Sequence, residues 1–197
     1  MKRSNKIARQ GLTHIKFMKM EIEVKAKVRN LDDLVSKLKE IGCVLNEPVV
    51  QDDCIYNKKG IDLSSHNHGT SVLRIREQKG RIVFTLKKDR SNELDCIEKE
   101  IEVNDKNTLE EIIELLDFEK TIEVHKKRQK GKYGDYEICL DEVDGIGFFI
   151  EVEKMSDEDG EKVQNELFDF LQTLGISKGD RVLIGYDTLV WLKNNQI

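Results

Sequence analysis

Glu21-Ile22-Glu23-Val24 and Glu100-Ile101-Glu102-Val103 are one tetrapeptide used twice in the same chain. Charged and aliphatic residues alternate in both copies. With a side-chain period of two, each copy reads as a strand with a carboxylate face and an apolar face. A helical spacing follows each one: Leu31, Leu34, Leu38 and Ile41 after the first, Leu109, Ile112, Ile113 and Leu116 after the second. Steps of three and four place these residues on one helix face. Asn30 and Asn107 are expected to be the N-caps, with Gly42 ending the first helix. Three strand-like segments then follow each helix, over about 44–57, 71–77 and 81–88 and over about 119–129, 134–141 and 147–154.

The repeating unit is therefore β-α-β-β-β, and two copies give an α+β fold with eight antiparallel strands. Lys79-Gly80-Arg81 and Lys130-Gly131-Lys132 read as hairpin turns. Lys58 to Thr70 reads as a longer mobile loop. A third helix is predicted over about 158–174, with Val163, Leu167, Phe170, Leu171 and Leu174 on its apolar side. A last element, Tyr186 to Leu192, carries the only tryptophan, Trp191. Eight strands suffice to close a barrel around one small ligand, with the helices packed outside.

Composition narrows the function. The 197 residues are 36% charged, yet 38 Asp and Glu against 33 Lys and Arg leave a net charge of only -5. A dedicated nucleic-acid binder would be basic over a whole face, so nucleic acid is not an expected partner. No apolar run approaches the roughly 18 residues of a membrane helix. Cys43, Cys54, Cys96 and Cys139 are scattered without a C-x-x-C pair, as expected of reduced thiols in a cytoplasmic protein. Residues 1–19 are basic with no apolar stretch, and are expected to be a flexible extension preceding a single domain over 20–197. A homodimer is allowed for.

The charges are sorted by strand. Glu21, Glu23 and Lys25 oppose Ile22 and Val24; Arg74 and Arg76 oppose Leu73 and Ile75; Thr85 and Lys87 oppose Phe84 and Leu86. Glu98, Glu100 and Glu102 share a face, as do Lys126 and Arg128, Glu137 and Asp141, and Glu151 and Glu153. On an open sheet these faces would simply be wet. If the sheet closes and the helices cover the aliphatic rows, the charged rows face one another inside. Carboxylates at i, i+2 suit a hard divalent cation, and Arg and Lys clusters suit phosphate oxygens.

Glu21-Ile22-Glu23-Val24-Lys25 resembles the E-x-E-x-K signature of the CYTH superfamily, the triphosphate tunnel metalloenzymes. Leu73-Arg74-Ile75-Arg76, Thr85-Leu86-Lys87, Glu100-Ile101-Glu102, Lys126-Lys127-Arg128, Leu140-Asp141-Glu142-Val143 and Phe149-Ile150-Glu151-Val152-Glu153 follow in the family's order, over about 20–192. That superfamily includes class IV adenylyl cyclases, thiamine triphosphatases and inorganic tripolyphosphatases. The resemblance implies that Lys25, Arg74, Arg76, Lys87 and Arg128 grip the phosphates of ATP or another triphosphate. It implies that Glu21, Glu23, Asp141, Glu151 and Glu153 hold Mg²⁺ or Mn²⁺, that Glu21, Glu23 and Lys25 form the catalytic set, and that Glu100, Glu102, Lys126 and Glu137 complete the lining. The length and the run Leu140 to Glu153 lean towards the cyclases; triphosphate hydrolysis and a non-catalytic polyphosphate- or nucleotide-binding module are the alternatives.

Some residues depart from the pattern. The family's C-terminal stretch near Ser-Tyr-x-Glu-Leu-Leu is here Gly185-Tyr186-Asp187-Thr188-Leu189-Val190, and either Lys178 or Arg181 is expected to supply the basic group that precedes it. His66 and His68, in a Gly/Ser/Asn-rich loop, are expected to be solvated, and His125 to be structural on the apolar face of its strand. Gly145 and Gly147 flank a turn and open no phosphate-binding helix.

Overall fold

The computed structural model describes residues 20–61, 71–92 and 94–195. The extension at 1–19, the pair His66 and His68, and most of the Lys58–Thr70 loop lie outside them. The elements are β1 (Met20–Val28), α1 (Leu31–Glu40), β2 (Val44–Leu45), β3 (Val49–Lys58), β4 (Ser71–Gln78), β5 (Arg81–Asn92), β6 (Asp95–Val103), α2 (Lys106–Leu115), β7 (Phe118–Tyr133), β8 (Tyr136–Val143), β9 (Gly147–Ser156), α3 (Gly160–Thr173), β10 (Arg181–Val182) and α4 (Tyr186–Asn194). Eight strands pair in the order β1-β6-β5-β4-β3-β7-β8-β9, and β9 returns to β1, so the antiparallel barrel closes. β2 adds to β7 and β10 to β1.

The aliphatic rows face outward, as the alternation predicts. Ile22 and Val24 of β1 and Ile150 and Val152 of β9 are buried with Leu34 and Leu38 of α1 and with Val163, Leu167 and Leu171 of α3. Leu73 and Ile75 of β4 are covered by Ile113 and Leu109 of α2. Burying these rows under helices is the main hydrophobic contribution to the fold, and it leaves the charged rows no direction but inward.

The two halves repeat structurally. Asn30 caps α1 by accepting from Asp33 N at 3.1 Å, and Asp105 caps α2 by accepting from Thr108 N at 3.0 Å. The N-cap of the second helix is thus Asp105; Asn107 lies inside the first turn. Both residue types cap well, and the carboxylate two positions earlier took the role. The caps are 75 residues apart, and at that offset Glu100 matches Lys25 rather than Glu21. The twin tetrapeptides therefore lie on equivalent strands but four residues out of register, an even slip that keeps every side chain on its own face.

Lys79 and Gly80, both at positive φ, form the two-residue turn between β4 and β5. Lys130-Gly131-Lys132 is not a turn: β7 runs straight through it, and the chain reverses after Tyr133, where Gly134 has φ 57°. Gly131 is required for another reason. β2 crosses it so closely that a Cβ there would meet Leu45 Cδ2 at 2.8 Å, Cys43 Sγ at 2.9 Å and Val44 O at 3.0 Å. The segment predicted over 44–57 is likewise two strands, β2 and β3, divided at Pro48, which has no amide hydrogen for the ladder.

Candidate functional site

The ladders decide which charges meet. Glu23 of β1 lies opposite Glu153 of β9, and Glu153 opposite Glu137 of β8. Directly paired residues have Cβ atoms about 4.5–5.5 Å apart, so three carboxylates stand side by side. Ligand oxygens of Glu21, Glu23 and Glu153 lie within 4.8 Å of one another. Burial raises all three carboxyls above their usual range: Glu23 is pushed up to about 7, with Glu151 adding to the effect, and Glu153 to about 8 despite Arg128. Glu21 rises through burial and the charge of Glu98. Hard oxygen donors crowded until they hold protons are a donor set suited to a divalent cation, which would displace those protons.

Glu151 and Asp141, predicted with this set, do different work. Arg128 forks onto Asp141, Nε to Oδ1 at 2.7 Å, and also bonds Glu151. Glu151 receives Lys25 at 3.3 Å as well, and these cations hold its carboxyl below the usual range although burial alone would raise it. Asp141 also accepts from the Tyr186 hydroxyl at 2.8 Å and sits behind Arg128, outside the cavity lining. Both its oxygens accept hydrogen bonds, from Arg128 and from Tyr186.

The other half carries the same device with the polarity reversed. Arg76 forks onto Asp53 at 2.6 and 2.8 Å, with Lys126 at 3.4 Å from the same carboxylate. In the structural repeat, Asp53 opposite Arg76 corresponds to Arg128 opposite Asp141. Burial would raise the Asp53 carboxyl, but Lys126 and Arg76 outweigh it and hold it well below the ordinary range. Burial and the Arg128 charge push the Lys126 ammonium down to about 8. Arg74 donates to Glu98 at 2.8 Å, Glu100 at 3.0 Å and Thr85 at 3.2 Å, and Lys87 meets Glu98 at 3.0 Å.

These groups line one cavity of about 360 Å³. Glu21, Glu23, Glu151, Glu153, Lys25, Arg74, Arg76, Lys87 and Arg128 all reach it, with Glu100, Lys126 and Glu137. Glu102 does not: it is exposed near the end of β6 and paired with Arg81. Neither Lys178 nor Arg181 enters. Lys178 is exposed in a short 3-10 turn, and the Arg181 guanidinium lies 5.2 Å from the Phe168 ring outside the barrel. His125 faces outward as predicted, but it is half exposed and bonds Asp52 at 2.7 Å instead of packing in a core.

Sequence reading missed several residues of the site, among them Glu98, Asp53 and Tyr186. Glu98 shares the face of Glu100 and was signalled by alternation alone. Asp53 is buried, and its signal was a carboxylate facing Arg and Lys rows with no other partner. Tyr186 closes one side: its ring lies 4.1 Å from Lys25 Nζ and 5.0 Å from Lys126 Nζ, within cation–π range. The resemblance of its segment to the family's C-terminal stretch gave it no role, because α4 reaches the barrel only in three dimensions.

The metal-free protein should be sensitive to pH. Carboxyls raised in the fold contribute stability below the unfolded carboxylate range near pH 4.3, and lose it as pH rises through their folded values of about 7 and 8. Asp53, held low, acts only at the acid end, and relief from Lys126 begins only near pH 8. The melting temperature in a chelator should therefore fall between about pH 5 and pH 7.5. Mn²⁺ should raise it more at the upper end; a cation effect independent of pH would contradict the carboxylate cluster as its site.

Among the described residues, no helix is long and apolar enough to cross a membrane. A Methanocaldococcus jannaschii protein named "Putative adenylate cyclase" is 32% identical over 171 residues, 85% of this chain and 96% of its own. The structure of a Pyrococcus horikoshii protein superposes with a TM-score of 0.73 at 25% identity, covering 88% of this chain and 99% of that one. A Hippeastrum protein, described as a "putative adenylyl cyclase" with a dominant triphosphatase activity, shares the fold with a TM-score of 0.58 at 19% identity, covering 91% and 97%. The family model described as the CYTH domain matches residues 19–186, the span that builds the barrel and its charged cavity, and the chain belongs to that family.

Proposed function

We propose that this protein is a divalent-cation-dependent enzyme acting on a triphosphate inside the barrel, with ATP cyclisation as its reaction. The charge balance of the cavity carries this reading. Among the described lining residues, nine carboxylates face seven ammonium or guanidinium groups. Such a lining is in charge balance only while Glu23 and Glu153 hold their protons, and it does not take a polyanion by itself. It takes one together with cations held by Glu21, Glu23 and Glu153, while Arg74, Lys87, Arg128 and Lys25 contact the phosphate oxygens. Mg²⁺ or Mn²⁺ at that cluster would neutralise phosphate charge and polarise the reacting phosphorus.

The chain's own residues do the rest. Asp53 and Asp141 fix the planes of Arg76 and Arg128 before anything binds, so little ordering cost remains at binding. Burial pushes the Lys126 ammonium down to about 8, so above that pH its neutral amine is suited to accept a proton from the attacking oxygen. In cyclisation that oxygen is the ribose 3′-hydroxyl, attacking the α-phosphorus and releasing pyrophosphate. The name of the M. jannaschii relative supports this reaction. The triphosphatase activity ascribed to the Hippeastrum protein supports a second, in which water attacks a terminal phosphorus.

Incubation with ATP, tripolyphosphate and thiamine triphosphate in Mn²⁺ or Mg²⁺ separates the two. Cyclic AMP with an equal amount of pyrophosphate is the expected outcome. ADP and phosphate from ATP would move the assignment to hydrolysis, and no cation-dependent product from any of the three would remove the enzymatic reading.

A further inference from the structure

Beside Arg74 and Lys87 the cavity wall turns apolar. Beyond Asp53 on the inward face of β3 come Ile55 and then Asn57; Ile55 pairs with Ile122 of β7. Val72 continues the face of Arg74 and Arg76, and Trp191 of α4 lines the same cavity. At roughly 3.3 Å per residue, Asn57 lies about 13 Å along the strand from Asp53. Ile55 lies opposite Arg74 and Val72 opposite Lys87, so a group held there adjoins the phosphate grip.

Asn57 is buried, and its amide is aimed. The β3–β7 ladder pairs Ile55 with Ile122 and Tyr56 with Lys120, so Thr121 is the extra residue of a bulge. Bulges beside sites commonly redirect a side chain. Thr121 uses its hydroxyl proton on Ile55 O at 3.2 Å, so its oxygen must accept from Asn57 Nδ2, which lies at 2.8 Å. That fixes which end of the amide is the nitrogen, and leaves its second proton and Oδ1 for the cavity that Asn57 lines.

We infer that Asn57 and Trp191 form a base-reading subsite: the amide edge of Asn57 pairs with a heterocycle that carries an amino group beside a ring nitrogen, and the Trp191 indole packs on its face. The 6-aminopurine of ATP and the 4-aminopyrimidine of thiamine triphosphate both present that edge. Asparagine meets adenine with an acceptor and a donor side by side, and aromatic side chains stack on bases of any kind. The inference rests on the proposed triphosphate site and adds what distinguishes an organic triphosphate from an inorganic one.

Trp191 is the only tryptophan, so its fluorescence reports this subsite alone. A non-hydrolysable ATP analogue, thiamine triphosphate and imidotriphosphate would each be titrated by fluorescence and calorimetry in Mg²⁺. At least one organic triphosphate should change the emission, and the larger response names the source of the base; imidotriphosphate should bind without changing it. Asn57→Leu, and independently Trp191→Leu, should weaken that organic ligand about tenfold while imidotriphosphate affinity stays within about twofold, on the factor of ten per 1.4 kcal/mol. Equal losses for organic and inorganic ligands, or none, overturn the subsite and leave the triphosphate site standing. Failure of the unaltered protein to bind imidotriphosphate overturns the triphosphate site itself.

Discussion

Replacing Asp53 by asparagine is expected to lower the free energy of unfolding by about 3–5 kcal/mol, the range for breaking one side of a buried ion pair. Asp53 is 3% exposed, Arg76 8% and Lys126 5%. The neutral amide would leave two buried cations facing one another without a counter-charge. Asp141, the carboxylate of the matching pair in the repeat, is as deeply buried and holds Arg128. A double replacement, Asp53→Asn with Arg76→Met, should recover part of the loss by removing the stranded guanidinium; chemical denaturation of the three variants measures it. A loss below about 0.5 kcal/mol for the single variant is what an exposed pair would give, and it would show that the charged rows are wet.

Glu153→Gln should produce changes of opposite sign in activity and stability. Turnover should fall by at least about a hundredfold, since a bound cation supplies several kcal/mol to such a reaction and each 1.36 kcal/mol is tenfold. The metal-free protein should nevertheless be more stable than the parent near pH 8, because an amide of the same shape cannot ionise against Glu23 and Glu151. Loss of stability with loss of activity would make Glu153 a structural residue held by Arg128 at 3.8 Å and Cys139 at 3.5 Å.

What the sequence made legible was parity. Alternation along Glu21–Lys25, Arg74–Arg76 and Glu151–Glu153 separated the inward rows from the outward ones. The helix spacings at Leu34 and Leu38 showed which face would be covered. Register was not legible, because it depends on ladders between distant strands. Hence the twin tetrapeptides were matched four residues apart, and Glu102 was placed with Glu100 although it lies beyond the part of β6 that faces the cavity. Gly131 carried a turn signal for a reason that a single strand cannot show, the close crossing of β2. Asp141 looked like any other inward carboxylate; its separation from Glu153 comes from Arg128 and Tyr186, which claim its oxygens first.

On the proposed function, this acidic cavity accepts a polyanion only in company with divalent cations. Calorimetric titration of tripolyphosphate into the protein, in Mn²⁺ and then in a chelator at the same ionic strength, tests it most directly. With nine carboxylates against seven cationic groups among the described lining residues, affinity in the chelator should fall at least about a hundredfold, on the scale of 1.4 kcal/mol per factor of ten. Binding of equal strength with and without the cation would contradict the account.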